Sequence, residues 1–288
     1  LYHEYGIRAA NSGDIDRGEA LVSRAIALRE QDRYHRTATQ INLAQLNQLV
    51  NEENVSDDAA AVFQEQLSGA VQHARAAVAR DPASFQNWLT LSSVYTSVIP
   101  LSIEGALENA RNTLEEARTR SPKSPEIDYR LAQIETSVGG DAATARTYLE
   151  AALTKKQDYT QAILLLAQIE LSEGNLKEAI ESVRAAVYFE PNNAVLLYQL
   201  GILLLQDRNY EQASIAFEAA LGQQPDYANA AFFLAQSYAF LDKLDEAAQI
   251  MTQVAARNPD SELARTYAAA LAAGETRCVV GDVSTKDG

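Results

Sequence analysis

The feature that most constrains the fold is a self-match of the sequence at a spacing of 34 residues, across residues 194–259. Six pairs of positions carry similar residues at this spacing: Leu200 and Leu234, Gly201 and Ala235, Ala213 and Ala247, Phe217 and Met251, Ala220 and Val254, Pro225 and Pro259. Each half has the pattern of two short amphipathic helices closed by a proline. One such unit cannot bury its apolar face alone, so neighbouring units must stack. The period therefore predicts an all-α repeat array.

Composition and charge exclude several classes of function. The chain has 288 residues, of which 47% are hydrophobic, and its 13 glycines and 7 prolines argue against an all-β protein. The net charge of −15 at pH 7 disfavours nucleic-acid binding, because attraction to phosphates needs a clustered basic surface. The single cysteine, Cys278, excludes an internal disulfide and a thiolate metal cluster. No run approaches the roughly 20 apolar residues of a membrane span, so we expect no direct membrane insertion of this chain.

The chain begins at Leu1, and no basic-then-apolar leader opens it. We interpret it as a processed product or an excised piece of a longer protein. The lack of a leader then gives no information about where the parent protein works.

A second pattern is Trp88-x-x-Leu91-Ser92-x-x-Tyr95. It resembles the first-helix signature of the tetratricopeptide repeat family, Trp-x2-Leu-Gly-x2-Tyr, from which only the small residue differs. The resemblance implies a right-handed α-α superhelix of about seven helix pairs plus a C-terminal capping helix, with the first helices lining a concave side. Small residues should mark the close helix contacts: Ala179, Ala186, Ala213, Ala220 and Ala247.

The same resemblance predicts the domain organisation. A repeat solenoid should cover residues 1–273, with repeats at about 1–32, 33–82, 83–122, 123–157, 158–191, 192–225 and 226–259. A capping helix should follow at 261–273, and a polar tail at 274–288. Trp88 and Phe217 should be buried between the helices of their repeats.

The resemblance also implies a binding surface. In the family, the first-helix residue just after the Trp-type position, and the one four residues later, tend to face the groove. The counterparts form two ladders, Tyr129, Leu164, Tyr198 and Phe232, and Gln133, Gln168, Ile202 and Gln236, with Arg130 and Asn229 nearby. An apolar and aromatic rail beside amide groups suits a peptide or protein segment held without charge. The alternative is that these ladders only pack between successive first helices.

One binding mode of the family is not expected. Members that hold the acidic C-terminal tails of heat-shock chaperones clamp a carboxylate with lysines, an arginine and asparagines on these faces. Among the ladder positions and their neighbours here, Arg130 is the only basic residue. We therefore do not expect a co-chaperone.

Signals for catalysis are missing from the sequence. His3, His35 and His73 fall on separate predicted helices with no His-x-x-x-His motif or His–Glu pairing, so we expect surface or packing histidines and no metal site. No phosphate-binding glycine loop occurs, and the carboxylates are scattered as on solvated helix faces. We predict no catalytic residue, no metal and no cofactor.

A second resemblance concerns the segments Trp88–Tyr95, Ile99–Leu101, Glu104–Ala106, Glu108–Ala110, Tyr227–Ala230 and Phe232–Leu234. They are similar to a soluble repeat domain at the C-terminus of bacterial multi-pass membrane ligases or polymerases of the O-antigen type. This resemblance implies an upstream membrane domain in the parent protein and favours an extracytoplasmic location. Any catalysis would then belong to the membrane part.

Two hypotheses of different class follow. The leading one is a non-catalytic protein-interaction scaffold that binds a peptide or protein segment in its groove. The alternative is the accessory domain of a membrane-bound glycopolymer ligase or polymerase, which membrane spans upstream in the parent reading frame would favour. An independent enzymatic activity has no supporting motif.

Overall fold

The computed structural model describes residues 1–51, 59–137 and 141–274. Over these residues the chain is helical and has no strand. The helices are α1 (Tyr2–Asn11), α2 (Ile15–Leu28), α3 (Asp32–Asn51), α4 (Ala59–Arg80), α5 (Phe85–Ser97), α6 (Ala106–Arg120), α7 (Pro125–Ser137), α8 (Ala142–Lys155), α9 (Thr160–Ser172), α10 (Leu176–Phe189), α11 (Ala194–Gln206), α12 (Tyr210–Gln223), α13 (Ala228–Phe240), α14 (Leu244–Arg257) and α15 (Glu262–Ala272), with a 3₁₀ turn at Ile99–Leu101. The predicted fold class, seven helix pairs followed by one further helix, is confirmed for the described residues. The predicted polar tail beyond Gly274, with Cys278, lies outside them.

The chain divides into two compact units, Leu1–Gln157 and Asp158–Gly288. The first unit contains α1 to α8 and the second contains α9 to α15. The division falls where the repeats 123–157 and 158–191 were predicted to meet. The single continuous repeat domain over 1–273 stays a prediction.

The three hairpins of the second unit share one turn geometry. The second residue after the first helix of each hairpin has a positive φ: Gly174 (81°), Arg208 (60°) and Asp242 (59°), spaced 34 residues apart. The next residue's N–H returns to a carbonyl five residues earlier, as from Asn209 to Leu204 at 2.8 Å. This closure satisfies helix-end carbonyls, and it persists where arginine or aspartate replaces the glycine that favours a left-handed backbone.

Small residues make the close contacts between helices, as predicted. Ala179, Ala186, Ala213, Ala220 and Ala247 are fully buried. The core of the second unit continues from α9 through α13, and α15 closes its far end by packing Tyr267 and Leu271 with Met251 of α14. These contacts fix the first helices α9, α11 and α13, which position the candidate site.

Trp88 departs from its prediction. Its ring is half-buried, its indole N–H donates to the Pro82 carbonyl at 2.9 Å, and the Arg120 guanidinium lies 4.4 Å from the ring centre. The indole therefore lies at the edge of its repeat, beneath a charged side chain. Asn87, the neighbouring residue, is fully buried instead, and its amide donates to the carbonyls of Ala77 and Asp81 at the end of α4.

Candidate functional site

Charge is absent from the accessible part of three helices of the second unit. The helices α9, α11 and α13 contain a single charged residue, Glu170. Glu170 is 7% exposed and accepts a hydrogen bond from the Ser182 hydroxyl at 2.9 Å. Yet residues 158–274 contain 15 acidic and six basic residues, a net charge of −9. We call the surface of α9, α11 and α13 the first-helix surface.

The predicted site residues of the second unit lie on this surface at different depths. Gln168 and Asn229 are exposed, whereas Leu164, Tyr198, Ile202 and Phe232 are half-buried. The inner parts of Leu164, Tyr198 and Ile202 pack against the core of the unit. The half-buried side chains therefore combine the two interpretations of the ladders, because one part of each side chain packs against the core and another part stays accessible.

Tyr198 is fixed by an aromatic cluster that joins three helices. Its ring centre lies 5.0 Å from that of Tyr227 and 6.0 Å from those of Phe217 and Phe233. Burial, and next the neighbouring Tyr227, raise the pKa of Tyr198, so its hydroxyl stays protonated at neutral pH. Tyr198 therefore offers a held aromatic edge with a hydroxyl, the type of residue that anchors binding surfaces.

Phe232 is held in a similar way at the other end of the first-helix surface. Its ring stacks on Tyr267 of α15, with a centroid distance of 5.4 Å and an interplanar angle of 22°, and meets Phe233 edge to face. Because α15 supplies this support, the position of the Phe232 ring depends on α15.

Gln236 is a correction to the predicted ladder. It is 3% exposed, and its Oε1 atom has no hydrogen-bond partner. Gln236 follows Phe232 by one helical turn, on the face of α13 that meets Tyr267. The prediction of groove exposure is therefore wrong for this residue.

The remaining predicted residues lie on α7 of the first unit. Tyr129 is half-buried, and its hydroxyl accepts from the exposed Gln133 amide at 3.1 Å. Arg130 donates from Nε and Nη2 to Glu126 and from Nη1 to Ser93, all within 3.0 Å. Arg130 is thus engaged within its own unit.

Side chains of α13 and α12 meet at a polar contact beside the core. The Tyr238 hydroxyl donates to Glu218 at 2.5 Å. This hydrogen bond, with burial and the carboxylate charge, raises the pKa of Tyr238 to about 12. The contact ties the charged second helix to the uncharged first helix of the next repeat.

A cleft also lies in the second unit, and Tyr227, whose ring contacts that of Tyr198, is one of its lining residues. It measures about 440 Å³ and is lined by the ends of α12, α13 and α14, including Leu221, Ala231, Ile250 and Arg257. It has the size of a small-molecule pocket and a cation at its edge. We treat it below as the competing site.

Sequence reasoning missed a contact between two histidines. The Nδ1 atoms of His35 and His73 lie 3.1 Å apart, and Nε2 of His35 lies 3.1 Å from Glu30. The expectation of no His–Glu pairing is therefore wrong. The two rings stand 38 residues apart on the unusually long α3–α4 hairpin, so the 34-residue period did not align them. Within the described ranges, no three His, Cys, Asp or Glu side chains form a group that could hold a metal ion.

None of the helices in the described part of the chain has both the length and the apolar character needed to span a bilayer.

Comparisons with known proteins give a family match for part of the chain. Residues 139–200 and 204–271 match the tetratricopeptide repeat family. The comparison with curated proteins finds no match.

Solved structures share the fold at low sequence identity. TTC0263, a thermophilic TPR protein of Thermus thermophilus, is 19% identical, with a TM-score of 0.52, over 71% of this chain and 97% of that one. The pilF structure of Pseudomonas aeruginosa is 14% identical, with a TM-score of 0.53, over 84% and 99%. A tetratricopeptide repeat protein of Parabacteroides merdae is 15% identical, with a TM-score of 0.52, over 94% and 97%. The chain therefore carries tetratricopeptide repeats at residues 139–200 and 204–271 and has the fold of tetratricopeptide-repeat proteins.

Proposed function

We propose that the chain is a non-catalytic protein-interaction scaffold whose second unit binds a peptide or protein segment on the first-helix surface. The observation that carries the proposal is the distribution of charge. Three helices present no exposed charged side chain, although residues 158–274 carry a net charge of −9.

The accessible side chains of this surface indicate which type of polypeptide would bind there. Tyr198, Ile202 and Phe232 offer half-buried apolar edges, while Gln168 and Asn229 offer amides. Apolar edges gain from being covered, at about 25 cal/mol per Å² removed from water. Amides can pair with a peptide backbone without the desolvation cost of a charge. The best-fitting partner is an uncharged, apolar stretch of polypeptide.

Charge on the neighbouring helices limits where such a partner can lie. The second helices α10, α12 and α14 carry exposed carboxylates such as Glu181, Glu211 and Glu246. An apolar peptide gains little over these side chains, which must stay solvated. The first-helix surface is therefore favoured over the outer faces of the second helices.

The test uses peptides selected from a random-peptide library against the full chain. Tyr198→Ala and Phe232→Ala should each weaken the selected peptides about tenfold or more, measured as Kd by calorimetry. Ile215→Ala is the matched control, because Ile215 is an apolar residue of α12 that is 64% exposed. Circular dichroism reports whether each variant keeps its fold. Binding that survives both aromatic substitutions, or that is lost with Ile215→Ala, would move the site away from the first-helix surface.

The alternative hypothesis, an accessory domain of an O-antigen-type ligase or polymerase, stays a prediction. It rests on the short segments named in the sequence analysis, and none of the relatives described above is named as such an enzyme. The parent reading frame decides it, since membrane spans upstream of Leu1 would support it and a frame without them would end it.

A further inference from the structure

The contact between His35 and His73 joins the two helices of one hairpin. His35 lies on α3 and is 5% exposed, and His73 lies on α4 and is half-buried. Their Nδ1 atoms face each other at 3.1 Å, a hydrogen-bond distance that requires one donor and one acceptor. The other nitrogen of His35 meets Glu30 Oε1 at 3.1 Å, where it can donate to the carboxylate.

Proton counting limits the charge that this arrangement accepts. With both rings neutral, His35 donates through Nε2 to Glu30 and accepts at Nδ1 from His73. One added proton is tolerated, because a charged His35 can donate to both Glu30 and the Nδ1 of His73. A second proton would point two N–H groups at each other across 3.1 Å and place two positive charges in contact. The closed pair therefore holds at most one proton.

The charges around the pair do not relieve this limit. Burial, and next the His35 ring, lower the pKa of His73, against the raising effect of Glu19 on α2. Arg80 of α4 lies 3.9 Å from Glu30 and competes for the carboxylate. The helices α1 and α5 also contact α3, and on them His3 is hydrogen-bonded to Thr37 and Tyr95 to Arg75.

We infer that the His35–His73 pair is an acid-sensitive latch, which holds α3 against α4 at neutral pH and opens when both rings take up a proton. The unfolded hairpin can bind a proton on each ring near pH 6.5, one more than the closed pair. The stability from this contact is therefore fully present above pH 6.5 and is lost as the pH falls below it. One extra proton raises the opening constant by up to about tenfold for each pH unit.

Hydrogen exchange of the full chain tests the latch. Exchange is followed by mass spectrometry at pH 7.0 and pH 5.5 and corrected for intrinsic rates. Segments of α3 and α4 should show an opening constant about tenfold higher at pH 5.5. Segments of α11 and α12 are the internal control, because residues 158–288 contain no histidine.

A variant separates the latch from general acid effects. In His73→Gln the side-chain amide can turn either its N–H or its oxygen toward His35, so no pair of donors arises at low pH. We expect the acid response of α3 and α4 to disappear, while the control His3→Gln keeps it.

Three results would overturn the latch. The first is equal exchange of α3 and α4 at the two pH values in the wild-type chain, a result that needs no variant to fold. The second is an acid response that persists in His73→Gln, which would assign it to Glu19 or Glu30. The third is loosening of α3 and α4 by a chelator alone at pH 7.0, which would show that the pair holds a metal.

Discussion

Replacing Phe217 by alanine should lower the free energy of unfolding by about 3–5 kcal/mol. Phe217 is fully buried on α12 and contacts the rings of Tyr198 and Phe233, so the substitution leaves a cavity between α11, α12 and α13. The change is measured by urea denaturation of the full chain, followed by circular dichroism.

The matched control is Ile215→Ala, two residues earlier on the same helix. Ile215 is largely exposed, and its truncation should change the stability by less than about 0.5 kcal/mol. A loss below about 1 kcal/mol for Phe217→Ala would mean that the hairpin can collapse around the missing ring, and the repeat packing described above would be wrong.

Gly201→Ala should destabilise the chain by about 1–3 kcal/mol although it adds a single methyl group. A Cβ atom at Gly201 would lie 2.5 Å from Cε1 and 2.7 Å from Cδ1 of Phe217. Phe217 is enclosed and cannot turn away without moving the Tyr198 cluster. The same denaturation experiment measures the cost.

The next repeat indicates a second substitution that should restore part of the lost stability. The positions equivalent to Gly201 and Phe217 are Ala235 and Met251, which are both fully buried in one cluster. Combining Gly201→Ala with Phe217→Met recreates that pair and should recover part of the loss, because methionine adapts its shape more easily than a ring. Strictly additive losses would contradict the volume match.

Gly222→Ala is the glycine control. Nothing lies within 4 Å of a Cβ at Gly222, and the residue is helical. The substitution should leave stability unchanged or raise it by up to about 1 kcal/mol through helix propensity. Equal losses at positions 201 and 222 would show that the helix backbone, and not Phe217, sets the requirement for glycine.

The 34-residue pattern predicted the helix contacts that recur in each repeat, and it did not predict contacts that occur in one repeat alone. Small residues 34 apart located Ala213 and Ala247 in helix contacts, because those contacts recur in every repeat. Arg208 and Asp242 take the left-handed turn that Gly174 takes, so the common geometry of the hairpin outweighs the local preference of each residue.

The failures have local physical causes. The first-helix signature predicts a buried Trp88. In the structure the ring lies at the edge of its repeat, where Arg120 of α6 covers it. The ladder rule treats every repeat as if another helix pair followed, whereas the α13–α14 hairpin is followed by the single helix α15, and Gln236 is buried near that end. The His35–His73 contact depends on the register of an atypically long hairpin, which spacing alone does not give.

The sequence indicates the residue types of the candidate surface better than it indicates how far each side chain is buried. Residue type and position gave an uncharged aromatic surface on α11 and α13. Which edges stay accessible depends on neighbours such as Tyr227 and Tyr267, and these contacts appear only in three dimensions.

The most direct measurement of the central claim is a chemical-shift map of the full chain, with a library-selected peptide added stepwise. Binding on the first-helix surface predicts the largest changes at Gln168, Tyr198, Ile202, Asn229 and Phe232. Changes centred instead on Ile250 and Arg257, in the cleft of α12, α13 and α14, would contradict it.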